Sequence, residues 1–137
     1  MKTILLATAL SALATGAFAA AHAMSPAVAA SDQDVSNGIV SAETVTAAEN
    51  GWLVVHRTDA EMKPGPVVGY APLRMGETAD VAAILQEDVA PGDMLMLMVH
   101  SEAGGTAKGV FEYTLGATED GPVKPEGDLV MATITAQ

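Results

Sequence analysis

The chain has 137 residues, of which 50% are hydrophobic, and 17 Asp and Glu against 6 Lys and Arg give a formal net charge of -11. Nucleic acids and anionic lipids are bound through clustered Lys and Arg, so this balance argues against both as ligands. The chain has no cysteine, which excludes disulfides, thiolate-bound zinc, iron–sulfur clusters, thiol catalysis and a conventional blue-copper site.

Residues 1–23 carry the pattern of a secretory signal peptide. Lys2 precedes an apolar run over 4–14, and small residues follow up to two A-x-A cleavage sites, which end at Ala19 and Ala23. We expect cleavage after Ala23, with Ala19 as the alternative. The apolar run is shorter than the about 20 residues that span a bilayer. The sequence therefore predicts a periplasmic or secreted protein whose mature chain is not stably inserted in a membrane.

Residues 24–37 are rich in Ala, Ser and Asp without apolar periodicity, and they are predicted to be a disordered leader. Over 38–137, short apolar runs are separated by Gly, Pro, Asn and Asp, which is typical of an all-β domain. The predicted strands are GIVSAETVTA, GWLVVHR, VVGYA, TADVAAILQE, MLMLMVH, VFEYTL and LVMATITA. The alanines of TADVAAILQE also suit a helix, but the flanking turns favour a strand. We predict an all-β fold, an immunoglobulin-like antiparallel sandwich of about seven strands.

Several motifs resemble those of one protein family. They are GWLVVHRTD, PGPVVGYAPLRMGETADV, MLMLMVHSEAG, FEY and DGPV, and the resemblance extends over about residues 39–136. They resemble an uncharacterised domain of exported and cell-surface proteins, known from haloarchaea and many bacteria and sometimes found beside blue-copper domains. His56 and His100 match the two histidines of that family, and VVG stands where the family has VIG. The resemblance implies a β-sandwich outside the cytoplasm and no assigned activity.

The strand MLMLMVH places three methionines and a histidine on one face, because side chains two residues apart share a face. These are Met94, Met96, Met98 and His100. The leading interpretation is core packing, since methionine fills irregular gaps in a chain that is only 4% aromatic. The alternative is a Cu(I) or Ag(I) site, because thioether and imidazole ligands suit soft metals. Sulfurs on one strand lie about 6.5–7 Å apart, so that site needs a ligand from a loop or a second strand, and Met62 and Met75 in predicted loops are candidates.

His56 and His100 form a second candidate constellation. LVVHRTD and LMVHSEA end alike, each with a histidine after two apolar residues and an acidic residue close behind. Paired antiparallel strands carry their carboxyl ends at opposite ends of the sheet. A site shared by His56 and His100 is therefore expected only if the strands run parallel or lie in different sheets. The alternative is that each ring binds a nearby backbone or carboxylate group.

No catalytic motif is present, since G-x-S-x-G, the P-loop and the dinucleotide fingerprint are all missing. The acidic loop over 119–128 lacks the spacing of a calcium site and is interpreted as solvated. We predict a non-catalytic exported module without a cofactor, which is a binding or structural component with an unknown protein or surface partner. The alternative is a periplasmic metal-handling protein that binds copper through His56, His100, Met94, Met96 and Met98.

Overall fold

The computed structural model describes residues 24–137, and the predicted signal peptide at 1–23 lies outside the described residues. The strands are β1 (Ala27–Ala29), β2 (Ile39–Ala47), β3 (Gly51–Thr58), β4 (Val67–Leu73), β5 (Gly76–Leu85), β6 (Met94–Ser101) and β7 (Met131–Thr135). A short 3-10 turn at Pro125–Gly127 is the remaining regular element of this part of the chain, so the all-β prediction is confirmed. Within 24–137, none of the helical structure is long and apolar enough to cross a membrane.

The seven strands form one antiparallel sheet in the order β1-β2-β5-β4-β3-β6-β7. The pairing of β4 with β5 is the shortest contact between central strands of the sheet, since it joins only Gly69 with Leu85 and Tyr70 with Ile84. Beyond these pairs the two strands diverge. β4 was predicted to end before Pro72 but continues to Leu73. Proline has no backbone N–H to donate, and it is tolerated here because the β5 side of β4 has no paired strand at this position.

The two outermost strands approach each other at the opposite side of the sheet. Gln33, which follows β1, forms an isolated bridge with Ala136, which follows β7. The backbone N–H of Gln137 donates to the carbonyl of Gln33 at 2.9 Å. The sheet therefore folds over on itself, with the hydrogen-bonded halves β1-β2-β5 and β4-β3-β6-β7 facing each other in a sandwich-like arrangement.

The space between the two halves is apolar. Alternate residues of β3 and β6 contribute to this core, and each is at most 3% exposed: Leu53, Val55, Leu95, Leu97 and Val99. β2 and β5 contribute Val40, Ala42, Val45 and Ala83 to the same cluster. Burial of apolar surface stabilises by about 25 cal/mol per Å², so this cluster is a main source of folding free energy.

β3 and β6 are buried on both faces, because all residues over 51–56 and 95–100 are buried. Residues 102–123, which we call the flap, have little regular structure and lie over the outer face of these two strands. Phe111 contacts Trp52 and Tyr70 from the flap, and Tyr113 contacts His100. The outer face therefore holds a second, smaller core.

The strand predicted at VFEYTL is wrong, since residues 110–115 lie in the flap. The backbone N–H of Glu112 donates to the carboxylate of Asp120 at 2.8 Å, where a strand would donate to a neighbouring strand. β6 already pairs with β3 on one side and with β7 on the other, so it offers this segment no free edge. The alternating Phe111 and Tyr113 pack onto the sheet instead of joining it.

The other six predicted strands are confirmed, and the seventh strand, β1, lies in the segment predicted to be a disordered leader. β1 pairs with β2, and Val35 is buried in the core at 3% exposure. The side-chain amide of Gln33 binds the backbone N–H and carbonyl of Ser41, each at 2.8 Å. The Gln33 side chain thus forms with β2 the hydrogen bonds that a paired strand would form. The amino-acid composition of 24–37 gives no sign of this order.

Candidate functional site

The outer face of β3 and β6 carries both predicted histidines and two of the predicted methionines. In the antiparallel register, residues opposite each other form three rows, which are Trp52 with His100, Val54 with Met98, and His56 with Met96. The histidines occupy diagonal corners of this block, and Val54 and Met98 lie between them. Met94 lies outside the block, opposite Thr58, and is half-buried.

The two imidazole rings meet over the middle of the block. His56 Nε2 and His100 Nε2 are 3.2 Å apart and the ring centroids are 5.3 Å apart, so the rings meet end to end without overlapping. The expectation that antiparallel pairing keeps these histidines from one site is wrong. Four residues along a strand span about 13 Å, and two imidazole side chains on the same face lean toward each other and bridge that distance.

A backbone carbonyl fixes each ring. His56 Nδ1 donates to Gly65 O at 2.8 Å, and His100 Nδ1 donates to Asp120 O at 2.7 Å. A register irregularity between Val55 and His56 in the pairing of β3 with β4 accompanies the first contact. The expected backbone partner is thus confirmed for both rings. Carbonyls only accept hydrogen bonds, so Nδ1 carries the hydrogen and each neutral ring directs the Nε2 lone pair at the other ring.

Burial keeps both rings neutral at neutral pH. It lowers the pKa of His56 below the ordinary 6.5, against an opposing effect of the hydrogen bond to Gly65. Burial also lowers the pKa of His100 to about 4, with a further lowering from the nearby His56 and an opposing effect of the hydrogen bond to Asp120. A buried imidazolium would lose its hydration, which is the physical cause of the lowered pKa in both rings.

Tyr113 closes the site from the flap. Its ring lies nearly perpendicular to both imidazoles, with centroids 4.5 Å from His100 and 5.8 Å from His56. The two histidines are 1% and 0% exposed as a result. A ligand therefore reaches the Nε2 atoms only when the flap moves.

Asp120 anchors the flap. Its carboxylate accepts hydrogen bonds from the backbone N–H groups of Ala103 at 3.1 Å and Glu112 at 2.8 Å, and its own N–H donates to the carbonyl of Ala103 at 2.8 Å. Asp120 is buried and has a φ of 45°, which few residues other than glycine adopt. Because its carbonyl also binds His100, one residue controls both flap closure and the orientation of a histidine ring.

Sequence reasoning did not single out Gly65 or Tyr113. It placed Asp120 in the acidic loop over 119–128 that was interpreted as solvated, which is wrong for this residue, because Asp120 is 1% exposed. The tripeptide G-P-V occurs near both carbonyls, at 65–67 and at 121–123. It does not identify them, because one carbonyl belongs to the glycine of the tripeptide and the other to the residue before it. Within 24–137 no group of three or more His, Cys, Asp and Glu is placed to hold a metal ion. The site therefore offers a ligand two imidazole nitrogens, with the thioethers of Met96 and Met98 on the same face.

Comparison with known proteins identifies the family. The chain matches the model of a domain of unknown function (DUF7282) over residues 26–137. The chain belongs to this family. The predicted resemblance to an uncharacterised domain is confirmed to that extent, and the matched range includes β1 together with both histidines. No curated protein and no solved structure matches the chain.

Proposed function

We propose that the protein is a non-catalytic module of the periplasm or the extracellular space, which binds a protein partner through an apolar groove beside the flap. The signal-peptide pattern at 1–23 supports export. The groove has a volume of about 410 Å³ and lies between the flap and β4. Its apolar lining consists of Pro66, Val67, Tyr70, Phe111, Tyr113 and Leu115.

The observation that carries the proposal is an exposed apolar row that continues from the groove across the sheet. Tyr70 pairs with Ile84 and Ile84 pairs with Ile39, so large apolar side chains follow one another on β4, β5 and β2. Ile84 is 74% exposed, and Leu115 at the groove is 56% exposed. Scattered apolar residues are ordinary on a protein surface, whereas contiguous apolar patches mark interaction sites.

The charges around this row define the chemistry of the partner. Glu43 and Asp80 are exposed and lie four residues from Ile39 and Ile84 on the same two strands. The whole chain carries a net charge of -11. A partner that presents an apolar side chain flanked by Lys or Arg fits, because complementary charge favours encounter and disfavours wrong partners.

Two features support a non-catalytic role. The buried histidines are sealed under the flap, and their Nδ1 atoms bind backbone carbonyls without an orienting carboxylate. General acid–base catalysis needs a group within hydrogen-bond reach of a substrate. The sequence also lacks the nucleophile and phosphate-binding motifs that would suggest an enzyme.

Site-specific photo-crosslinking in cells that export the protein tests this function. We place the crosslinking amino acid at Ile84 and, separately, at Leu115, and expect the same partner from both positions. The crosslinked partner segment should contain an apolar residue beside Lys or Arg, and Tyr70→Ala should lower the yield. Met75, which is 63% exposed in the turn after β4, is the matched control position outside the groove. Equal yield from Met75, or no partner from either groove position, refutes the proposal.

Soft-metal binding, the alternative predicted from the sequence, is favoured by a separate observation, the convergence of the two Nε2 atoms. It uses residues under the flap, while partner binding uses the groove beside it. One module accommodates both roles.

A further inference from the structure

The two imidazoles take part in three contacts of hydrogen-bond length but carry hydrogen atoms for only two of them. The contacts lie in series, from Gly65 O to His56, from His56 Nε2 to His100 Nε2, and from His100 to Asp120 O. Two neutral imidazoles provide two N–H groups, and the two carbonyls use both. The middle link therefore brings two lone pairs together at 3.2 Å in a buried site. This is unfavourable unless an electron-pair acceptor such as a metal ion lies between the nitrogens.

We propose that His56 and His100 together bind one soft monovalent metal ion, of the class of Cu(I) and Ag(I), through their Nε2 atoms, with Met98 as a thioether ligand. This site goes beyond the proposed partner binding and does not depend on it. The second strand supplies the ligand that a run of methionines on β6 cannot provide alone, because sulfurs on one strand lie about 6.5–7 Å apart.

The ligand set selects a soft ion. Zinc sites in proteins combine three or four strong ligands from Cys, His, Asp and Glu, and within 24–137 no such group of three exists. The block around the histidines provides two imidazoles and the thioethers of Met96 and Met98. Thioether sulfur favours Cu(I) over the harder divalent ions. A single positive charge also costs less to bury than a double charge.

The spacing of the nitrogens suits a bound ion. With metal–nitrogen bonds of about 2.0 Å, the present separation corresponds to a nitrogen–metal–nitrogen angle of about 105°. In that bent arrangement the ion lies off the line between the nitrogens, and the register places Met98 between the two histidines to supply a third ligand. A linear arrangement instead needs a separation of about 4 Å, which a ring shift of under about 1 Å provides. Met94 lies outside the block and is not part of the site.

Titration of the purified exported protein with Ag(I), and anaerobically with Cu(I), against a competing chelator tests the proposal. We expect one equivalent to bind. His56→Phe or His100→Phe should weaken binding by more than the roughly 10–100-fold that loss of a supporting residue costs. Met98→Leu, which removes the third ligand, should weaken binding by at least about 10-fold, and unchanged binding in this variant overturns the assignment of Met98. The control Met75→Leu, at an exposed methionine, should not change binding. Binding that survives both histidine variants, or that is lost in Met75→Leu, overturns the proposal.

Nitrogen NMR of the wild-type imidazoles keeps the test decisive if a histidine variant fails to fold. At neutral pH without metal, we expect both rings to carry hydrogen on Nδ1, and one equivalent of Ag(I) should shift both Nε2 resonances. An Nε2–H on either ring before metal is added contradicts the converging lone pairs. Unchanged Nε2 resonances after Ag(I) contradict the site. Zn(II) that binds as tightly as Ag(I), with the same shifts, contradicts the assignment to a soft ion.

Discussion

Protonation of the histidine pair should make the fold sensitive to mild acid. The pKa of His100 is lowered from 6.5 to about 4 in the folded protein, and the pKa of His56 is lowered as well, in both cases mainly by burial. Between these pKa values the unfolded chain binds protons that the folded chain does not, so the free energy of unfolding falls as the pH falls. The stabilising contribution is complete above pH 6.5 and is lost progressively toward pH 4.

The magnitude follows from the pKa of His100. A change from 6.5 to about 4 corresponds to about 3 kcal/mol in total, of which about 2 kcal/mol is lost between pH 7 and pH 5. With a denaturant dependence of about 1–2 kcal/mol per molar, the urea midpoint should fall by roughly 1–2 M over that interval. Carboxylates with lowered pKa values, such as Asp93 and Glu112, affect stability mainly below this interval.

Urea unfolding followed by the fluorescence of Trp52, which is the single tryptophan of the chain, measures the effect at pH 7, 6 and 5. The double variant His56→Phe/His100→Phe is the control and should remove most of the difference. An NMR titration of the wild-type histidine ring signals tests the same point without a variant. A urea midpoint that is equal at pH 7 and pH 5 would refute the assignment of neutral, buried imidazoles.

Three substitutions test the packing around the site. Met96→Ala should lower the free energy of unfolding by about 2–5 kcal/mol, because it leaves a cavity beneath the flap. The exposed control Met75→Ala should change it by less than about 0.5 kcal/mol, and similar urea midpoints for the two variants would contradict the buried position of Met96. Asp120→Ala should cost about 2–3 kcal/mol by leaving two backbone N–H groups unpaired, and it should speed amide hydrogen exchange over 102–123, whereas unchanged exchange would mean that other contacts hold the flap. Gly51→Ala should destabilise the fold strongly, because a Cβ at Gly51 would overlap the backbone carbonyl oxygen of His100, and a wild-type melting temperature would show that β3 and β6 separate easily there.

The strands that form the main core could be predicted from the sequence, because their residues follow the period of two and turns separate them. β3 and β6 are apolar on both faces, which matches their burial on both faces. The flap and β1 could not be predicted in this way. VFEYTL has the composition of a strand, but β6, the strand that precedes it, already has partners on both edges. The short β1 is supported by Gln33, whose contribution lies in side-chain hydrogen bonds.

The members of the site were more predictable than their arrangement. His56, His100 and the methionine face of β6 were identifiable as residues that carry chemistry. Their convergence depends on the register of β3 against β6, in which Trp52 lies opposite His100. Sequence pattern alone does not specify which residue of one strand lies opposite which residue of a strand far along the chain. The sequence placed Asp120 in a solvated loop, because its burial and its contacts with Ala103 and Glu112 depend on the flap folding back.

The bridge between Gln33 and Ala136 has a consequence for the speed of folding. It joins two segments from opposite ends of the described chain, and β3 also pairs with β6 across the β4 and β5 segments. A chain loses the entropy of closing such long loops before the contacts that close them can stabilise the fold. We therefore expect the sheet to fold more slowly than a domain of similar size whose contacts are mostly local.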